Sequence, residues 1–322
     1  MKALVYTGPE ALEVRDVPAS VAAMGEVVVD VDGCGICGSD MHAFLGHDER
    51  RPAPLTLGHE VAGRLPSGQR VTVNPRVSSP TSPATLAGRD HLCPERQILS
   101  MPPREGGFAG QVSIPADNVV AVPDHISTEQ AALAEPIACG WHAVRVAQPL
   151  VWAQKPRALV IGGGAIGLGA VLSLAAAGFE DGVVSEPNPL RRKALERYSP
   201  YIPTAPEDVP DNAFDIVIDG VGYEATRAKA CSAVTPGGVI IHIGLGSATG
   251  GIDARRLTLQ EIAFIGVYTY TAQDFRDCCA AMFSGKLGPL DWTETRPLDE
   301  GARAFADIRA GTVAAPKIIL TP

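Results

Sequence analysis

Ala158-Leu159-Val160-Ile161-Gly162-Gly163-Gly164-Ala165-Ile166-Gly167 decides the fold of this 322-residue chain. Four apolar residues run into a glycine-rich turn, and an Ala/Leu-rich stretch follows to Phe179. That order predicts a buried strand, a tight turn and a helix. Gly162 permits the turn, Gly164 lets backbone approach a pyrophosphate, and Gly167 lets the helix pack close to the strand. Ala165 and Ile166 open the helix, whose free N–H groups and positive dipole end suit phosphate. The next apolar run, Gly182–Ser185, ends at Glu186, 24 residues after Gly162. An acid there accepts hydrogen bonds from an adenosine ribose and repels a 2′-phosphate, which predicts NAD. Arg191 and Arg192 follow closely, and arginine accommodates that phosphate, so NADP stays open.

Outward from this turn the texture is that of an α/β domain. Phe214–Asp219, Gly238–Ile243 and Ile262–Tyr268 supply further strands, and strands alternating with helices imply a parallel sheet covered on both faces. The first 125 or so residues differ. Short β-rich runs (Val27–Val31, Arg70–Val73, Gln111–Ile114) alternate with Gly- and Pro-rich turns, which predicts a compact β-barrel-like domain carrying functional loops. The Ser/Pro-rich stretch 77–86 reads as an irregular lobe. Lys317–Leu320 reads as a terminal strand that returns to the first domain. The expected division is 1–148 with 287–322, and 149–286.

The net charge of −9 offers no basic excess for phosphate backbones, so nucleic acid is not an expected partner. No cleavable leader is visible after Met1, and the most apolar window is the strand–turn–helix above, so a cytoplasmic protein without a membrane span is expected. Seven cysteines form no even disulfide framework, which favours reduced thiols.

A second constellation lies upstream. Cys34-Gly35-Ile36-Cys37 has CxxC spacing, and His59 and Glu60 follow within 25 residues. Half a zinc ribbon lacks its second CxxC, and a redox pair lacks its fold context. The third reading is one ligand cysteine and one core cysteine. Gly63 stands where an HExxH helix needs its second histidine. A thiolate, an imidazole and a carboxylate satisfy an open zinc site with three protein ligands.

Together these runs resemble the zinc-dependent medium-chain dehydrogenase/reductases over nearly the full length of the chain. The motifs are Gly35–His42 (GICGSDMH), Gly58-His59-Glu60, Gly106–Ala109 (GGFA), Glu135-Pro136, Gly162–Gly167 and the tail Pro297–Phe305. The resemblance implies a GroES-like β-barrel catalytic domain joined to a Rossmann domain with a doubly wound parallel sheet. It implies Cys37 and His59 as ligands of one catalytic zinc per subunit, Glu135 in the third-ligand position and Glu60 as a carboxylate able to swap onto the metal. Asp40 would orient the site, Ser39 would take the substrate proton, and His42 would relay it. Family members with a structural zinc carry four cysteines where this chain has Ser79, Ser82, Thr85 and Cys93, so the lobe is expected to be held by packing or hydrogen bonds. Sorbitol-dehydrogenase-like members have arginine where Tyr268-Thr269-Tyr270 places Thr269, which argues against sorbitol itself.

The expected activity is hydride transfer between a secondary alcohol, polyol or sugar-type hydroxyl and NAD, in a homodimer or homotetramer. The alternatives are an NADP-dependent aldehyde or ketone reductase and a nucleotide sensor without catalysis. The charged run His47–Arg51 reads as a solvated loop more readily than as a substrate mouth. Phe108, Trp141, Tyr268 and Tyr270, taken singly, read as core more readily than as pocket.

Overall fold

Val27–Val31 forms a strand as expected, but the strand continues through Glu26–Gly35 and carries Cys34 on it. Its pairing with Glu60–Arg64 shifts register between Val31 and Gly33, so the strand runs on past Asp32 and Gly33. This is a computed structural model of the chain, and it describes all residues 1–322. No helix is long and apolar enough to cross a membrane.

The chain divides into two compact units. The first comprises Met1–Glu135, Thr271–Ser284 and Leu290–Pro322, and the second Pro136–Tyr270 and Gly285–Pro289. The helix Ala272–Phe283 thus falls in the first unit.

In the first unit, strand Glu26–Gly35 lies at the centre of a seven-stranded sheet. It pairs antiparallel with Glu60–Arg64, Gln111–Pro115 and the terminal strand Lys317–Thr321. Lys317–Thr321 in turn pairs parallel with Thr293–Pro297, across the helix Gly301–Ala310. A smaller sheet of Lys2–Gly8, Ala11–Asp16 and Leu55–Thr56 stands beside it. Leu4 N–H donates to the Phe108 carbonyl at 2.8 Å, which ties the small sheet to the segment Gly106–Ala109. One hydrophobic core fills the unit, with Leu57, Phe108, Ile114, Phe305 and Leu320 fully buried. Phe305 meets Phe108 edge-to-face at 6.0 Å and Phe44 at 5.2 Å.

The second unit is a six-stranded, wholly parallel sheet in the order Ile202–Thr204, Asp181–Ser185, Arg157–Ile161, Phe214–Asp219, Val234–His242, Ala263–Gly266. In sequence terms this is 3-2-1-4-5-6, the doubly wound order that binds a dinucleotide where the order reverses. Ala158, Leu159 and Val160 have no exposed surface, so this strand is buried on both faces. The helix after the glycine turn ends at Ala176, earlier than expected, because Gly178 takes the left-handed conformation at φ +92°.

Phe108 is fully buried, its backbone bonds to Leu4 and Leu57, and its ring packs on Phe305. Phe108→Ala is expected to cost about 3–5 kcal/mol of stability, read as a shifted denaturation midpoint in urea. A loss under 1 kcal/mol would show that this ring does not hold the unit together.

Candidate active site

The short helix Gly38–Phe44 begins at Cys37, and its Asp40 folds back on that start. Asp40 Oδ2 accepts the Cys37 N–H at 3.0 Å, and its Oδ1 accepts the Gly58 N–H at 3.2 Å. The same Oδ1 lies 3.5 Å from Nδ1 of His59. One buried carboxylate therefore brings the GICGSD run and the GHE run together. Gly58 sits at φ +92°, and a Cβ there would meet the Phe108 ring and the Cys34 sulfur. The GGFA segment closes the other side: Gly107 N–H donates to the Gly58 carbonyl at 2.7 Å and Phe108 N–H to that of Leu57 at 2.9 Å.

The outcome is a triplet. Ligand atoms of Cys37, His59 and Glu60 lie within 4.8 Å of one another. Glu60 reaches it from the strand Glu60–Arg64, directly opposite Gly35 in the register. The two CxxC sulfurs have separated roles in packing. Cys34 is fully buried, and burial pushes its thiol well up, so it stays a neutral core residue. Cys37 is partly exposed and faces the triplet.

His59 is buried beside Asp40 and Cys37. Burial works to lower its basicity, but the Asp40 carboxylate and the Cys37 sulfur together hold it well above the usual imidazole range. With Nδ1 turned to Asp40, Nε2 is the nitrogen free for a cation. Asp40 itself is pushed up by burial, and the charges of His59 and Arg51 bring it below its usual range.

Glu60 has a partner the sequence did not disclose. Lys317, on the terminal strand, places its ammonium 2.6 Å from the Glu60 carboxylate and donates to the Ile36 carbonyl at 2.7 Å. Both side chains are almost completely buried. The ammonium is equally close to both Glu60 oxygens, at 2.6 Å, and donates to Oε1. A soft sulfur, an imidazole nitrogen and a carboxylate oxygen together form a donor set suited to zinc. Glu135 stays outside the triplet: it is buried in the first turn of the helix Ala134–Ala147, and its charge acts on Lys317 and Cys278.

Ser39 and His42 lie on the same short helix, both half-buried. His42 meets the His47 ring edge-on at 6.5 Å. In the run His47–Arg51, His47, Glu49 and Arg50 are exposed, but its last residue turns inward. Arg51 is 3% exposed, and it bonds to Asp48, Ser39 and the Ser100 carbonyl. Ser100 adopts φ +66°, and its hydroxyl lies 3.4 Å from His59 Nδ1. Of the aromatic candidates, Phe108 and Tyr270 are core, while Trp141 and Tyr268 are partly exposed.

In the second unit the glycine turn has the shape its spacing implies. Gly162 takes φ +101°, a Cβ on Gly167 would strike the Gly162 carbonyl, and the space around Gly164 is open. Gly164 caps the helix Ala165–Ala176, which leaves its first amides free for an anion. Ile166 is partly exposed on that first turn. Glu186 folds over the turn: Oε2 accepts the Gly163 N–H at 2.9 Å and Oε1 the Asn188 N–H at 2.9 Å. Arg191 Nη1 lies 3.5 Å from Oε2, and Arg192 caps the Glu186 and Pro187 carbonyls. The cradle fits a dinucleotide.

In the lobe, the buried Cys93 sulfur has the Ser82 hydroxyl and the amides of Ser79 and Glu95 for neighbours. Burial raises that thiol, and these neighbours bring it below its ordinary range.

Two family models match the chain: an alcohol dehydrogenase GroES-like domain over residues 23–124, and a zinc-binding dehydrogenase domain over residues 165–284. A Saccharomyces cerevisiae protein named "Probable diacetyl reductase [(R)-acetoin forming] 2" is 30% identical, across all of this chain and 90% of its own. A Bacillus subtilis sorbitol dehydrogenase is 29% identical over 84% of this chain and 82% of its own. The solved structure of acetophenone reductase from Geotrichum candidum in complex with NAD aligns at TM-score 0.89 and 24% identity, covering 100% of this chain and 97% of that one. Motifs, sheet order and whole-length similarity converge: the chain belongs to the zinc-type medium-chain dehydrogenases, NAD(P)-dependent enzymes of alcohol and polyol oxidoreduction.

Proposed function

We propose that this protein is a zinc-dependent dehydrogenase that moves a hydride between NAD and a secondary alcohol, polyol or sugar-type hydroxyl. The observation that carries the reading is the triplet of Cys37, His59 and Glu60, closed to within 4.8 Å around donors of three chemical kinds. The two curated relatives are named for acetoin formation and for sorbitol oxidation. In each reaction the reacting carbon bears oxygen and neighbours a second oxygenated carbon, and that is the substrate class assigned here.

Cys37 Sγ, His59 Nε2 and a Glu60 oxygen would hold the cation, with Glu135 as the nearby second carboxylate. A bound zinc supplies Lewis acidity to the substrate oxygen, and a bound nicotinamide supplies the hydride acceptor or donor. The protein's own residues do the rest. Asp40 fixes the His59 tautomer and ties the Cys37 loop to the Gly58 turn, so the donors are preorganised. Ser39 accepts the proton leaving the substrate hydroxyl, and His42, part-exposed on the same helix, passes a proton toward solvent. Lys317 neutralises Glu60 so that thiolate and carboxylate can share a buried site without mutual repulsion.

Glu186 supports NAD over NADP. Its carboxylate is fixed by two backbone amides beside the phosphate turn, where it can accept a ribose hydroxyl and repels a phosphate. Free cysteines throughout are in keeping with a cytoplasmic site of action, and a homodimer or homotetramer is the assembly proposed.

Zinc content separates the two cysteines. Wild type should hold one zinc per chain by elemental analysis. Cys37→Ala and His59→Ala should lose it together with polyol-dependent NAD reduction, and Glu60→Gln should weaken it at least tenfold. Cys34→Ala should keep it. A Cys37→Ala protein with full zinc and full turnover would remove the metal assignment.

Cofactor choice is checked at Glu186. Wild type should use NAD at least tenfold better than NADP, as kcat/KM. Glu186→Ser should narrow or invert that ratio, because repulsion of the 2′-phosphate disappears while Arg191 remains. A wild-type preference for NADP would replace the NAD reading with the NADP one.

A further inference from the structure

Arg51 is buried where the sequence pattern would leave it in water. Its guanidinium spends its donors on three residues. Nη1 donates to Asp48 Oδ2 at 2.6 Å and leans on the Ser39 carbonyl at 3.4 Å, Nη2 reaches Ser39 Oγ at 3.4 Å, and Nε donates to the Ser100 carbonyl at 2.9 Å. Burying a guanidinium is costly unless charge and hydrogen bonds compensate it. Asp48, 8% exposed in its side chain, supplies the countercharge, and burial lifts its carboxyl less than Arg50 and Arg51 lower it.

A loop staple would need only the Asp48 pair. The remaining donors go to the two serines that flank the triplet. Ser39 lies two residues after Cys37, and the Ser100 hydroxyl faces His59 Nδ1 at 3.4 Å. The planar fork of arginine lets one side chain hold both at once, which an ammonium cannot do.

We propose that Arg51 is a positioning residue for proton transfer through Ser39. This rests on the role given to Ser39 above. By donating to one lone pair of Ser39 Oγ, Arg51 fixes the hydroxyl's rotamer. The other lone pair then faces the substrate, and the hydroxyl hydrogen faces the next acceptor. During alcohol oxidation the substrate O–H bond breaks, a new Oγ–H bond forms, and the original Ser39 proton departs. Arg51 keeps all of its protons.

The test is a double-mutant cycle in the zinc-loaded protein, with NAD and either butane-2,3-diol or sorbitol. Arg51→Gln should lower kcat about tenfold with KM changed less than twofold. In a Ser39→Ala background the same substitution should cost less than twofold. Arg51→Lys should fall between wild type and Arg51→Gln, and it carries the test if Arg51→Gln does not fold. All variants should retain one zinc. Their cobalt-substituted forms should keep the thiolate charge-transfer band, which shows that Cys37 still binds. Wild-type kcat in both Arg51 variants, full additivity with Ser39→Ala, or loss of the metal would overturn the proposal. A fully active Ser39→Ala would overturn the role of Ser39 and this inference with it. Wild type that binds zinc yet reduces NAD with neither alcohol would instead overturn the proposed activity, and with it this inference.

Discussion

The site depends on the carboxylate of Asp40. It has no exposed surface and takes hydrogen bonds from Cys37 and Gly58 while facing His59. Such a group is stable only when its charge is answered on every side, because an unpaired buried carboxylate would protonate instead. The answer comes from two backbone amides, the His59 ring and the field of Arg51. Each of those groups is thereby fixed relative to the others. The physical requirement to compensate one anion thus sets the relative positions of a thiol, an imidazole and a glycine turn drawn from two separate runs of the chain.

The Glu60–Lys317 pair extends the same logic to the chain's last strand. Lys317–Thr321 lies against Glu26–Gly35, and its first residue reaches under the cluster. A buried ion pair gives little net stability, but removing one partner leaves an uncompensated charge that costs several kcal/mol. The terminal strand is consequently more than a sheet edge. It makes a second anion tolerable beside the Cys37 sulfur, its Lys317 ammonium also donates to the Ile36 carbonyl, and its Ile318 carbonyl accepts the Ile36 N–H. Local electrostatics and global closure of the first unit are therefore coupled through one lysine.

The second unit was almost wholly legible from its sequence. Ala158–Ile161 is buried on both faces and reads as an unbroken apolar run, the glycines at 162 and 167 answer steric demands seen in the fold, and the partly exposed edge strand Ile202–Thr204 carried no such signal. The first unit was legible in its motifs and less so in its contacts. Cys34 and Cys37 could not be told apart by spacing, since burial alone distinguishes them. Lys317 and Ser100 carried no local signal: a lysine opening an apolar strand reads as a surface residue, and nothing marks a serine for φ +66°. Arg51 was not singled out because all five residues from His47 to Arg51 are charged or ionisable, while burial selects mainly the last. Spacing also did not show that Glu60, rather than Glu135, lies beside Cys37 and His59, because the register opposite Gly35 places it there and register is a tertiary property.

The lobe around Cys93 carries hydroxyls at Ser79, Ser82 and Thr85. A neutral serine cannot replace a thiolate as a zinc ligand, and the buried Ser82 hydroxyl beside Cys93 makes no hydrogen bond. The lobe's anchor lies elsewhere. Asp90 provides it: its carboxylate pairs with the buried Arg76 at 2.6 Å and accepts the Ala272 N–H at 3.0 Å, and its carbonyl accepts the Ser78 hydroxyl at 2.9 Å. Ala272 opens the helix Ala272–Phe283, so a carboxylate there also meets the positive end of a helix dipole. A charged hydrogen-bond hub fastened to a helix start fixes the lobe from its flank, whereas a central metal would fix it from within. The lobe's order then follows from Arg76 and Asp90, which lie outside the four positions that resemble a metal site.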